Sequence, residues 1–304
     1  MKRRISFLVA TLMIASVLLT TISQSALAAP VALRVAGMWR SGDGSKQVLV
    51  GGLSTSEFIA KRNQLSQQGL AISSIAVYRA NGQDNFVAVF ELTPNNKTVT
   101  NLLAGTWEQF AAKDKEMFDK GFRLADIALS MDPKNARKVL YTGIWKGGLG
   151  NGAQWTDPAM SWEDFLAKAK ERFNAGLRPA SMASIAVLDN VQEGSFKALY
   201  TATWRNGLGN GALYFIPPSE GQAYTPALMK HFNDGLRTVA FNAYTVNGQT
   251  PMYVGAVSGG LGTPGEWSSP SMKWDEFVAE HNKRVSQGFR LIDVSAYMQF
   301  TKID

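Results

Sequence analysis

Apolar residues recur along this chain in two alternating rhythms. From Ser161 onward, apolar side chains fall at Trp162, Phe165, Leu166, Ala169 and Phe173, the three-to-four-residue spacing that lines one face of a helix. Ser161 with Asp164, Thr106 with Gln109, and Ser54 with Glu57 have the spacing of a capping box and mark three helix starts. Each helix pattern gives way to a strand-like run, such as residues 122–131 or 289–300. A polar turn then leads to a second run at 139–145, 198–204 and 252–257. Gly-rich segments follow at 146–152 and 205–211, and then a third short strand that carries Trp155, Tyr214 or Trp267.

These blocks are copies of one unit. An aromatic residue is followed eleven positions later by glycine at Phe58/Gly69, Phe110/Gly121, Phe165/Gly176, Tyr224/Gly235 and Phe277/Gly288. Successive anchors lie 52, 55, 59 and 53 residues apart, a period that identifies a repeat architecture. The fixed glycine is the residue that ends a helix in the left-handed conformation, so the constant eleven is a constant helix length. Arg stands two past the glycine in four copies, at Arg123, Arg178, Arg237 and Arg290, with Ala71 in the first. The second strand ends on Trp145 or Trp204 in two copies, and the segment at 35–39 ends likewise on Trp39. The expected fold is therefore α+β, with five tandem helix-plus-three-strand repeats. Units are expected at 54–105, 106–160, 161–219, 220–272 and 273–304, the last completed by strands at 29–53. Pairing of the two termini would close the array into a ring and remove its exposed edges.

The combination of W-x-x-F, glycine eleven on, G-[FL]-R and an aromatic-x-small-x-W strand resembles the bacterial tandem repeat domain family. The residues carrying the likeness are Trp107/Phe110/Gly121/Arg123/Tyr141/Trp145, Trp162/Phe165/Gly176/Arg178/Tyr200/Trp204 and Trp274/Phe277/Gly288/Arg290. The same repeats form the N-terminal domain of polyglycine hydrolases, where catalysis belongs to a separate serine hydrolase domain. The resemblance implies a toroidal α+β domain that binds a partner or substrate. No Ser-x-x-Lys and no Gly-x-Ser-x-Gly occurs in this sequence, so no serine-hydrolase nucleophile motif is present.

Composition alters this picture in two places. Lys2, Arg3 and Arg4, an apolar run and the ending Ala26-Leu27-Ala28 have the three-part form of a secretory signal peptide at 1–28. Export to the periplasm or beyond is expected, leaving one mature domain at 29–304. Cleavage would also remove three of the 31 basic residues, so 28 would face 24 acids and the net charge would fall from +7 to +4. That balance does not favour a nucleic-acid partner. The second place is cysteine, which is absent from the 304 residues. Disulfides and thiolate chemistry are thereby excluded, and a 45% hydrophobic content with eight Trp must hold the fold.

The candidate chemistry is that of binding. The expected contact face is the Gly-rich loops with Lys146, Asn151, Trp155, Arg205, Asn210, Tyr214 and Trp267, offering cations, amides and exposed rings to a polysaccharide, a cell-wall component or a secreted protein. Phe110, Gly121, Trp145, Phe165, Gly176, Trp204, Gly235, Phe277 and Gly288, with the four recurrent arginines, are expected to be architectural. Asp126 and Asp293 occupy the same place in two copies and are expected to pair locally with Arg123 and Arg290. His231 and His281 have no second histidine at metal spacing. No cofactor, metal or membrane-spanning segment is expected in the mature chain, which should be a monomer. The alternative to a binding module is a secreted hydrolase, or a hydrolase accessory or inhibitor subunit, with an unrecognised carboxylate site.

Overall fold

The computed structural model describes residues 31–42, 46–92 and 99–300; the expected signal segment at 1–28 lies outside them. The described residues hold five helices and five three-stranded antiparallel sheets. Every helix is 13 residues long, as the constant anchor-to-glycine distance requires. Gly69, Gly121, Gly176, Gly235 and Gly288 follow the helices with φ between 77° and 84°, a conformation that costs other L-residues strain.

Strand pairing groups the elements one strand earlier than the sequence reading does. β2 (Gln47–Ser54) leads into α1 (Thr55–Gln67), β3 (Leu70–Ala80) and β4 (Gln83–Leu92), and the sheet order is β2-β4-β3. β5 (Val99–Gly105), α2 (Trp107–Asp119), β6 (Phe122–Asp132) and β7 (Asn135–Gly147) repeat this as β5-β7-β6. The same order holds for β8 (Gln154–Thr156), α3 (Trp162–Asn174), β9 (Arg178–Asn190) and β10 (Ser195–Arg205), and again for β11 (Leu213–Ser219), α4 (Gly221–Asn233), β12 (Arg237–Val246) and β13 (Thr250–Ser258). The short strand therefore opens a unit instead of closing one. The Gly-rich loop is the reason, since it carries the chain sideways to its neighbour: Asn206 N–H of the next loop donates to the Ala153 carbonyl at 3.1 Å.

β14 (Glu266–Met272), α5 (Trp274–Ser286) and β15 (Phe289–Phe300) lack a following central strand, and β1 (Val31–Ser41) supplies it, paired antiparallel with both. Of the segment expected to complete the last unit, only β1 does so; β2 belongs to the first sheet.

Each helix covers one face of its sheet through its anchor. Phe58, Phe110, Phe165, Tyr224 and Phe277 are all buried, as are Phe90, Trp145, Trp204, Val257 and Trp39 near the ends of the central strands. The Phe110 and Trp145 rings lie 5.4 Å apart, and Trp39 and Phe277 5.2 Å apart. Room for the anchor comes from the small residue in the strand motif. A Cβ on Gly143 would stand 2.7 Å from the Phe110 ring, closer than packed carbon atoms approach. Trp107 and Trp162 are half-buried, stacked on the anchors Phe110 and Phe165 at 5.9 and 5.3 Å.

The long strand after each helix lies on the inner side of its sheet, and these inner strands pack side by side. β6 lies against β3 and β9, β12 against β9 and β15, and β15 also against β3. The hydrophobic clusters cross every one of these boundaries; Val35, Trp39 and Phe277 of the last unit share a cluster with Ala76, Tyr78 and Val89 of the first. Polar side chains staple neighbouring units to open backbone positions. Leu124 N–H donates to Gln154 Oε1, Thr238 N–H to Glu266, and Leu291 N–H to Gln47 Oε1. In the third sheet the register puts Pro179 opposite Trp204, the place of Leu124 opposite Trp145. Leu213, in the position of Gln154, there replaces the acceptor where no N–H needs one. Among the described residues, no helix is long and apolar enough to cross a membrane.

Candidate functional site

The central strands end on alternating sides. Trp39, Trp145 and Trp204 turn toward the helices, so the next residue of each, Arg40, Lys146 and Arg205, turns to the opposite face. With Glu91 and Ser258 at the equivalent positions, they line a cavity of about 590 Å3 at the Gly-rich-loop end of the inner strands. Arg178, Arg290 and Asp293 also line it, so five cations face two carboxyl groups. Arg40 is neutralised by Glu266 at 2.6 Å. Arg205 is not paired with an acid: its Nε is buried without a hydrogen-bond partner. Burial and then the neighbouring charge of Arg123 hold its pKa below the ordinary value. Arg290 Nε is likewise buried and unpartnered.

The recurrent arginines are architectural in three copies. Arg123 stacks on Phe118 at 4.0 Å and donates to the carbonyls of Gly152, Phe118 and Phe122. Arg178 stacks on Phe173 at 4.0 Å and Arg237 on Phe232 at 4.1 Å, each also donating to a carbonyl of its own unit's Gly-rich loop. Each thus ties the end of the preceding helix to that loop. Arg290 differs because its guanidinium faces the cavity with Nε free.

The expected contact face divides into two regions. Lys146 and Arg205 lie together in the cavity, while Asn151 and Asn210 are exposed on the loops. Trp155, Tyr214 and Trp267 are about half exposed, at 53, 50 and 44%, but they do not join the cavity. Cross-strand pairing sets Trp155 opposite Trp204, Tyr214 opposite Val257 and Trp267 opposite Trp39, and directly paired residues share a face. The rings therefore rest on the helix side, over Arg172 at 4.4 Å, His231 at 5.3 Å and Arg284 at 3.6 Å. Arg172 is held in turn by Asp157 at 2.6 Å. Sequence reasoning missed Arg40 as a cavity residue and favoured an architectural role for Arg290. The signal for Arg40 was available, since it follows Trp39 as Lys146 follows Trp145.

The floor of the cavity corrects the expected Arg–Asp pairs. Asp126 accepts N–H groups from Ile75 of the neighbouring strand at 2.7 Å and from Ile127 at 2.9 Å, and it also binds Ser181 Oγ. Asp293 accepts from Phe241 N–H at 2.9 Å. Ser74 Oγ approaches Asp293 at 3.5 Å, and the next residue, Ile75, is the one whose N–H bonds Asp126. The two carboxyl groups are thus brought together across the first inner strand, where open backbone N–H groups of adjacent units need acceptors. Desolvation raises both, Asp126 to about 6, and Asp293 is raised further by the Asp126 charge.

A raised carboxyl pKa means the folded state favours the protonated form, so this contribution to stability is greatest below the unfolded pKa. It is lost as pH rises from about 4 through the folded values. Asp293→Asn keeps an acceptor for Phe241 N–H, gives up only the long 3.5 Å bond from Ser74 Oγ, and removes the charge. It is expected to melt higher than the parent at pH 8, with the difference closing below pH 4. Thermal melts across that range check this, and an Asn variant that melts lower at pH 8 would contradict it.

Residues 45–93, 106–147 and 271–302 match the family model for the polyglycine hydrolase-like structural repeat. These three segments carry polyglycine hydrolase-like repeats. The first matched segment spans β2, α1, β3 and β4; the second holds α2, β6 and β7, and the third holds α5 and β15. The units built on α3 and α4 fall between the matched segments, yet they have the same element order and the same pairing. Comparison with curated proteins gave no match.

Proposed function

We propose that this chain is an exported, non-catalytic binding module whose five repeats close into a ring, and that the loop-end cavity takes an anionic group of a cell-wall polysaccharide or a secreted protein. The observation that carries this reading is the cavity's surplus of cations, with the Nε of Arg205 and of Arg290 buried and unbonded. A buried guanidinium without an acid nearby is costly, and a carboxylate or phosphate matches its geometry. Closure is supported by the position of β1 between β14 and β15 and by the packing of β15 on β3. Trp155 and Trp267, each with one face on a cation, leave a second face that suits a sugar ring. A monomer fits this reading because β1 completes the last sheet from within the same chain.

The same geometry weighs against the hydrolase alternative. Asp126 and Asp293 lie together, but their oxygens are taken up by backbone N–H groups and serine hydroxyls of the wall. An accessory or inhibitor subunit would use the same cavity on an acidic protein surface.

The test is a titration of the mature protein, followed by Trp fluorescence, with polygalacturonate and poly-glutamate against neutral dextran. Saturable binding of an anionic probe is expected, weakening with salt. Replacing Lys146 and Arg205 together by Gln should weaken it about tenfold or more with little change in melting temperature. A pull-down with the same pair of proteins separates a polysaccharide from a protein partner. No saturable response to either polyanion, or full binding by the double variant, would overturn the reading.

A further inference from the structure

The inner strands line a second cavity, of about 520 Å3 and partly open to solvent, at the end away from the Gly-rich loops. All five contribute a small side chain to its wall: Ala76, Ala128, Ala186, Ala243 and Ala296. Its character is opposite to that of the loop-end cavity. The one charged lining residue among the described residues is Arg79, and Asp84 neutralises it. The polar lining is otherwise largely self-satisfied: Ser184 Oγ donates to Asn242 Oδ1 at 2.6 Å, and Asn242 Nδ2 donates to Ser295 Oγ at 3.2 Å.

Ser130 is the most deeply buried exception. It lines the cavity at 4% exposure, and its Oγ is buried with no hydrogen-bond partner. A buried hydroxyl left unpaired costs free energy that a ligand oxygen would recover. Protein interiors hold few voids larger than a water molecule, and water in an apolar-walled space finds too few partners. A mostly apolar space in the size range of small-molecule sites, with few open polar groups, is the form of a ligand pocket.

We infer that this cavity binds one neutral, mostly hydrocarbon ligand carrying a single oxygen, which hydrogen-bonds Ser130 Oγ. The absence of an unneutralised lining charge excludes a carboxylate or ammonium as the preferred head group. This site is distinct from the loop-end cavity, and neither depends on occupancy of the other.

The experiment titrates the mature chain with the neutral fluorophore N-phenyl-1-naphthylamine and then displaces it with 1-decanol or decanoate. Saturable one-to-one binding is expected, with decanol displacing the probe at about tenfold lower concentration than decanoate or better. Ala243→Phe fills the cavity and should abolish probe binding; Ala128→Leu serves if the first variant fails to fold, judged by circular dichroism. Ser130→Ala should leave probe affinity intact and weaken displacement by decanol. Absence of saturable binding, equal displacement by decanoate, or full probe binding in a folded cavity-filling variant would overturn the inference. Unchanged decanol displacement in Ser130→Ala would overturn the role of Ser130.

Discussion

Deleting residues 31–41 should abolish cooperative folding, although those residues are only the first strand of the described chain. β1 is the middle strand of its sheet, so its removal leaves the facing edges of both β14 and β15 without partners. Unpaired edges of this kind promote aggregation. The strand also brings Val35, Ala36, Met38 and Trp39, all fully buried. Burying a large apolar side chain contributes about 1.5–3 kcal/mol, so losing three of them approaches the roughly 5–15 kcal/mol that holds a whole domain folded. Trp39→Ala alone should cost about 3–5 kcal/mol. Circular dichroism melts and size-exclusion chromatography check both. A deletion variant that melts like the parent would mean that β1 does not join the first unit to the last, and the ring reading would fall with it.

What could be read from the chain was whatever the repeat imposes five times. The anchor–glycine pair shows in sequence because a 13-residue helix and a left-handed C′ residue allow no drift in spacing. The buried sides of Phe110, Phe165 and Phe277 follow from helical periodicity alone. Strand partners were less legible. Trp155 lies ten residues beyond Trp145, and nothing local says that it pairs with Trp204 of the following unit; the lateral course of the Gly-rich loop decides that. The division of the binding face has the same origin, since Trp155 takes the side of Trp204 while Arg205, one residue on, takes the other. Asp126 and Asp293 were legible as equivalent positions but not as neighbours. Their contact depends on Ser74 lying between them, which requires the last inner strand to pack on the first.

Asp114→Ala is expected to be the most damaging single change on a helix surface, and Asp114→Asn nearly silent. Asp114 stands four residues after the anchor Phe110, and its Oδ1 accepts the Trp145 indole N–H at 2.7 Å and the Gln154 amide at 2.8 Å. Oδ2 lies 3.3 Å from Thr156 Oγ1. Gln154 in turn accepts Leu124 N–H, so one carboxyl group fixes a core Trp, the short strand of the next unit and the staple between the two. In the last unit His281 does the same work for Trp39, four residues after Phe277, with indole N–H to Nδ1 at 3.4 Å. Burial pushes that imidazole down to about 4, which keeps it neutral and able to accept. The common requirement is thus an acceptor, not a charge. Desolvation raises the Asp114 pKa, which says that the charge itself is held at a cost. Asparagine can retain the two bonds to Oδ1 and offer an N–H to Thr156. Alanine leaves two donors unsatisfied at about 1–3 kcal/mol each. A loss of about 3 kcal/mol corresponds to a melting temperature lower by roughly 6–12 °C in a domain of this size. Equal losses in the Asn and Ala variants would mean that the charge matters after all. No loss in either would mean that water takes the place of the side chain, and that the link between neighbouring units rests on packing alone.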